Sequence, residues 1–212
     1  MPLSIRPYRP ADREDLYGIC VRTGDNGADA SSLYPDPRIL PDIFVGPYLA
    51  QEPELAYVVA DDAGRALGYV LGTADTRRFV ARYLDEWLPA VADRYPDDGD
   101  GRGHELRHPE AMLAPGVDAY PAHLHIDLLP EAQGQGFGRE LIRVFLAALR
   151  ERGVQRVHLG MGAANHSARV FYDRLGFEEL ARPTPSLVVL GRSTAEDGLT
   201  APAGSGTSAP RT

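Results

Sequence analysis

The sequence predicts a mixed α/β domain, and three observations carry the prediction. Short alternating or β-branched runs recur along the chain, separated by segments with apolar residues at helical spacing. A glycine cluster, Gln133-Gly134-Gln135-Gly136-Phe137-Gly138, falls between a strand-like run at 123–129 and a helix-like run at 137–152. Glycines weaken the interior of either element, but at a strand-to-helix turn they let successive N–H groups point into one concavity. The length of 212 residues suits one domain with its own core.

In chain order, residues 4–8 alternate and predict a first strand. Pro10-Ala11-Asp12 opens a helix to about Thr23, with Asp12 and Glu14 near its positive end. Gly24-Asp25-Asn26-Gly27 is a turn. Residues 31–52 carry Pro35, Pro37, Pro41 and Pro47, which allow only short helical pieces, such as 41–51. Residues 55–60 and 65–74 form strands joined at Asp61-Asp62-Ala63-Gly64. Phe79, Tyr83, Trp87, Leu88 and Val91 predict a helix over 76–93. Residues 94–107 are polar and predict an exposed loop. Their acidic run lacks the spacing and terminal Glu of a Ca²⁺ loop. A short helix at 108–114, a strand at 122–129, the glycine loop and the helix 137–152 follow. On that helix Leu141, Ile142, Phe145, Leu146 and Leu149 form one face. A strand at 156–161, a helix after Asn165, and strands at 177–181 and 186–190 complete a domain spanning 1–193. The Ser, Thr, Ala, Gly and Pro of 194–212 predict a disordered tail.

Composition excludes several classes. All 22 basic residues are Arg, which points to a GC-rich coding bias and a bacterial source. A net charge of −8 argues against nucleic acid, which needs a basic face, and favours a cationic substrate. No apolar run of about 20 residues and no leader-like N-terminus occur, so a cytoplasmic protein without a membrane span is expected. Cys20, the one cysteine, sits in an apolar stripe with Leu16 and Ile19 and reads as a core residue.

The glycine loop at the positive end of a helix suggests a pyrophosphate-bearing ligand held by main chain. The Rossmann spacing does not fit, and Walker A is excluded because the chain has no lysine. The remaining pattern is Gln133-x-x-Gly136-x-Gly138. Downstream lies Asn165-x-x-Ala168-x-x-x-Tyr172-x-x-x-Gly176-Phe177. Together these resemble the GCN5-related N-acetyltransferase (GNAT) superfamily. Val45-Gly46-Pro47-Tyr48, Pro53-Glu54-Leu55, Gly68 to Thr73 and Val188 to Ser193 also resemble the acetyltransferase-like C-terminal domain of animal O-GlcNAcase. That domain lacks the intact glycine loop, whereas this chain keeps it.

The resemblance implies a mixed sheet of six to seven strands flanked by helices, with a bulged strand splayed from its neighbour. It implies acetyl-CoA as co-substrate, held by Leu128, Leu129, Gln133, Gly134, Gln135, Gly136, Phe137, Gly138, Arg139, Asn165 and Tyr172, with no metal. The bulge is expected near Asp127 and Leu128, with the Leu128 N–H polarising the thioester carbonyl. Tyr172 would protonate the leaving thiolate. Asn165 would reach the pantetheine arm, cap its own helix, or do both.

The strand at 122–129 carries the polar alternation His123-x-His125-x-Asp127. Its side chains share one face. Three readings stand open: a metal site, a satisfied hydrogen-bond cluster, and acid–base chemistry. Asp127 is the candidate base, directly or through water, with His125 or His123 assisting. The expected reaction is direct transfer to a primary amine, of a small molecule if the 75–121 insertion caps the site. Protein-lysine acetylation and acetyl-CoA binding without turnover are the alternatives. Tyr34, Asp36, Tyr48, Trp87 and Tyr120 are candidate pocket residues. A homodimer is expected only because such enzymes often pair.

Overall fold

The computed structural model describes residues 2–99 and 101–195. Seven strands form one sheet: β1 Ser4–Pro7, β2 Tyr57–Ala60, β3 Ala66–Thr73, β4 Ala122–Leu128, β5 Arg156–Gly162, β6 Glu178–Thr184 and β7 Leu187–Ser193. Their order is β1-β2-β3-β4-β5-β7-β6. Neighbours run antiparallel except β4 and β5, which are parallel. Strand β3, third in that order, is buried along its whole length.

The helices are α1 Arg13–Thr23, α2 Ile39–Phe44, α3 Gly46–Gln51, α4 Thr76–Arg82, α5 Leu88–Val91, α6 Arg102–Arg107, α7 Phe137–Glu151 and α8 His166–Arg174. The predicted apolar face of α7, from Leu141 to Leu149, is buried. It packs on the sheet face that carries Gly72, where a Cβ would lie 2.7 Å from the Phe145 ring. Helices α1 and α3 cover the opposite face of β3.

Two expectations need correction. The helix predicted over 76–93 is interrupted by a wide π turn at Tyr83–Trp87. Pro89 explains it, because it has no N–H to donate to the preceding turn. The stretch 94–107, expected to be loop, contains α6, whose Gly103 and Leu106 are buried. A Cβ at Gly103 would lie 2.0 Å from the Pro96 carbonyl, so that glycine lets the loop fold onto the helix. Packing against the sheet continues just past Ser193. Thr194 is buried, and its amide and hydroxyl donate to Gln155 O and Val154 O, each at 2.9 Å. The remaining tail, 196–212, lies outside the described residues.

The expected splay is present, but it opens differently. Strand β4 pairs with β5 only at Ala122↔Val157 and His123↔His158. On its other side it pairs with β3 without a register shift, from Thr73↔His123 to Gly68↔Leu128. The bulge expected at Asp127 and Leu128 is therefore absent from that ladder, and the gap comes from divergence of β4 and β5 alone. Close packing holds β4 on β3: a Cβ at Gly72 would stand 2.1 Å from His123 O.

Candidate active site

The β3–β4 ladder determines what faces the gap. The Leu129 N–H donates to Leu67 O at 2.8 Å, which makes this a hydrogen-bonded pair. By alternation, Asp127, His125 and His123 also bond to β3, while Ile126 and Leu128 turn their backbone groups toward β5. No β5 backbone pairs with them there. Leu128 O is taken by the Gln133 side chain, whose Nε2 donates at 2.8 Å. The Leu128 N–H stays directed into the gap.

The gap ends at the glycine loop. Gly134 and Gly136 have φ of 71° and 86°, the left-handed region that side chains disfavour. Gly138 serves another purpose: a Cβ there would lie 3.2 Å from the Phe171 ring, so it sets the approach of α8 to α7. Among the described residues, the amides of Gly134, Gln135, Gly136, Phe137 and Gly138 donate no backbone hydrogen bond outside α7. The first turn of a helix offers them no acceptor either. This cradle of unspent donors at a helix N-terminus fits a pyrophosphate. Gln133 acts as a staple between loop and β4. Gln135 ties the loop to the turn that precedes it, its Nε2 donating to Glu131 O at 2.7 Å. Arg139 lies in the first turn of α7.

His123, His125 and Asp127 lie on one face of β4, as predicted, and the structure shows what holds each. Tyr69, opposite Asp127 in the ladder, donates its hydroxyl to Asp127 Oδ2 at 2.6 Å. Enclosure raises the Asp127 pKa to about 6, against the opposing hydrogen bond from Tyr69. Burial, with His158 nearby, lowers His125 to about 4. Burial also lowers His123, with smaller effects from His158 and His125. Both imidazoles are neutral at physiological pH.

Neutrality assigns every proton in the cluster. The Thr76 hydroxyl donates to Pro121 O at 2.7 Å, so its oxygen must accept from His123 Nδ1, 2.8 Å away. His123 Nε2 is then an acceptor, and the Tyr48 hydroxyl donates to it at 2.7 Å. The Tyr48 oxygen lies 2.9 Å from His125 Nε2 and accepts from it. His125 is therefore the Nε2–H tautomer, with its Nδ1 lone pair unspent. Sequence reasoning placed Tyr48 only as a pocket candidate. Its 75-residue separation from His123 left no local signal of this role.

Tyr172 is buried and makes edge contacts with Phe171 and Phe177. Burial pushes its pKa up, and the Asp127 charge adds to the rise. Its hydroxyl therefore stays protonated and has no hydrogen-bond partner among the described residues. Asn165 caps α8, its Oδ1 accepting from Ala168 N at 3.0 Å and Ser167 Oγ at 2.9 Å. The pocket candidates do not all converge. Tyr34 lines an open cavity of about 460 Å³ with Arg102, Glu105, His104 and His108. The Arg102 guanidinium lies 5.6 Å from the Phe44 ring, which stands 5.6 Å from the His125 ring. Trp87 instead donates to Asp42 O inside the core. Tyr120 packs against Gly191 and Arg156, and Asp36 is an exposed turn residue. Cys20 is a buried core thiol whose pKa burial raises.

Fold and site together are those of an acyltransferase that draws its acyl group from coenzyme A. The chain belongs to the acetyltransferase (GNAT) family, whose model matches residues 28–177. Members are transferases that use acetyl-CoA. The chain is 25% identical to rat protein O-GlcNAcase over 202 residues, covering 90% of this chain and 22% of that protein. It thus spans about a fifth of that relative's length. It is 29% identical to mycothiol acetyltransferase of Kytococcus sedentarius over 141 residues, 66% of this chain and 46% of that protein. The crystal structure of SsHAT is similar at 55% identity with a TM-score of 0.89, covering 92% of this chain and all of that one. No described helix is long and apolar enough to cross a membrane.

Proposed function

We propose that this protein is an acetyl-CoA-dependent N-acetyltransferase that acts directly on the primary amine of a small molecule. The observation that carries the reading is the unpaired stretch of β4 running into the unspent amides of the glycine loop. The Gly134–Gly138 amides would hold the pyrophosphate. Ile126 and Leu128 would pair with the amide-bearing arm as a strand would. Acetyl-CoA, when bound there, supplies the activated acetyl group. The Leu128 N–H is oriented to stabilise negative charge on a carbonyl oxygen in the gap.

Asp127 is the residue we assign to take the proton of the incoming amine, directly or through water. With a pKa of about 6 it is ionised at neutral pH, yet basic enough to accept a proton. Neutral His125 presents Nδ1 beside it as a hydrogen-bond acceptor for the amine. Tyr172, protonated across the working range, is the proton donor to sulfur. A small acceptor is supported by the modest size of the open cavity beside Tyr34 and Arg102, where the Arg102 guanidinium packs on Phe44 and Phe44 on His125.

The test is calorimetric titration with acetyl-CoA beside a Gly136→Asp variant, then free-thiol release with a panel of small amines and basic peptides. Saturable binding that the variant loses, with turnover confined to small amines, is the expected result. Binding without turnover on any acceptor would leave a binding module. Turnover on peptides alone would assign protein acetylation.

A further inference from the structure

Asp97, His104 and His108 converge outside the sheet, in the segment that joins α5 to β4. One ligand-capable atom from each lies within 4.8 Å of the other two. His104 lies on α6 and His108 is the residue that follows its last turn. Their ring centroids are 4.0 Å apart. The neighbouring loop is built to hold Asp97 in place. Asp98 Oδ1 accepts from His104 N at 2.9 Å, and Asp97 Oδ1 accepts from Gly99 N at 3.1 Å.

Two further details point to a bound cation. Asp97 Oδ1 and His104 Nδ1 are 3.5 Å apart. Donors on a tetrahedral Zn²⁺ with bonds of about 2.1 Å stand roughly 3.4 Å from one another. His108 Nδ1 lies 2.8 Å from Glu110 Oε1, so the carboxylate holds the Nδ1–H and leaves Nε2 as the lone-pair nitrogen. A carboxylate behind the imidazole is the usual outer support of a metal-ligating histidine. Two imidazoles and one carboxylate suit a transition metal better than Ca²⁺ or Mg²⁺.

We propose that Asp97, His104 and His108 form a site for a divalent transition-metal ion of the zinc class. Three protein ligands leave a fourth position open. His104 and His108 also line the cavity shared with Tyr34 and Arg102, so the site adjoins that cavity. Metal binding itself does not depend on the transferase reading.

The experiment is calorimetric titration of the full chain with Zn²⁺, and with Co²⁺ followed by its visible absorption. One saturating equivalent is expected, with four-coordinate Co²⁺ absorption. His104→Ala and His108→Ala should each abolish it, and Glu110→Gln should weaken it by about 10- to 100-fold. Both histidines are partly exposed, so circular dichroism should show folded variants. Should alanine unfold the chain, His104→Asn and His108→Asn keep the bulk and should give the same loss. Absence of saturable binding overturns the site, as does binding that survives the double variant, which would place the ion at the buried histidines of β4.

Discussion

Asp127 and His125 sit two residues apart on one strand, yet enclosure moves their pKa values in opposite directions, to about 6 and about 4. Each shift disfavours the charged form. If Asp127 is the base, kcat/KM should rise with pH through about 6, and this limb should stay put when the acceptor amine is changed. Asp127→Asn should remove the limb and lower kcat by about 10²- to 10⁴-fold. The same residue makes an opposite prediction for stability. Its folded pKa lies above its unfolded value, so its contribution is full below about pH 4 and is lost as pH rises to about 6. Asp127→Asn should therefore stabilise the fold at pH 8, by up to roughly 3 kcal/mol, and leave it unchanged at pH 3. Thermal unfolding across pH checks this. The histidines act in the other sense: held neutral in the fold, they erode stability as pH falls below about 6.5. Tyr172→Phe should lower kcat far more than it weakens acetyl-CoA binding. An unchanged rate in that variant would remove Tyr172 from the chemistry.

The β4–loop–α7 unit is where local sequence spoke most plainly. Alternation on β4 and the amphipathic stripe of α7 are near-neighbour patterns, and the three glycines mark a turn by their spacing. Helix α6 escaped because its period is carried by one buried apolar side chain, Leu106, among charged residues. The expected bulge was inherited from a resemblance, and the unbroken β3–β4 register replaces it. Two glycine substitutions separate binding from architecture. Gly136→Ala places a side chain at φ 86°, costing about 1 kcal/mol in the fold. Its larger effect should be on acetyl-CoA, as the cradle loses its shape. Gly72→Ala pushes a Cβ into His123 O and should destabilise by about 1–3 kcal/mol or more, read by chemical denaturation.

At the scale of the molecule, β1–β4 and β5–β7 are two half-sheets joined by the short pairing at Ala122 and His123. The amides of Ile126 and Leu128 should exchange hydrogen faster than those of Asp127 and His125, and acetyl-CoA should slow them selectively. Long-range contacts of this kind were not legible in the sequence. Asp42 is another case. Wholly buried, it accepts the hydroxyls of Tyr17 at 2.8 Å and Tyr95 at 2.7 Å and pairs with Arg94. These partners come from distant segments, and nothing local marks Asp42 as their hub. Asp42→Ala should cost on the order of 3–5 kcal/mol by stranding them.

The ordering His125, Tyr48, His123, Thr76, Pro121 O also says where a proton cannot go. Every hydrogen along the line is already committed inward, and the last member is a backbone carbonyl, which has no proton to pass on. The line is a dead end for conduction. It can hold His125 in orientation, but it offers no route by which a proton could leave. If Asp127 is the base, its own partial exposure at the edge of the gap is the remaining route for a proton to bulk water.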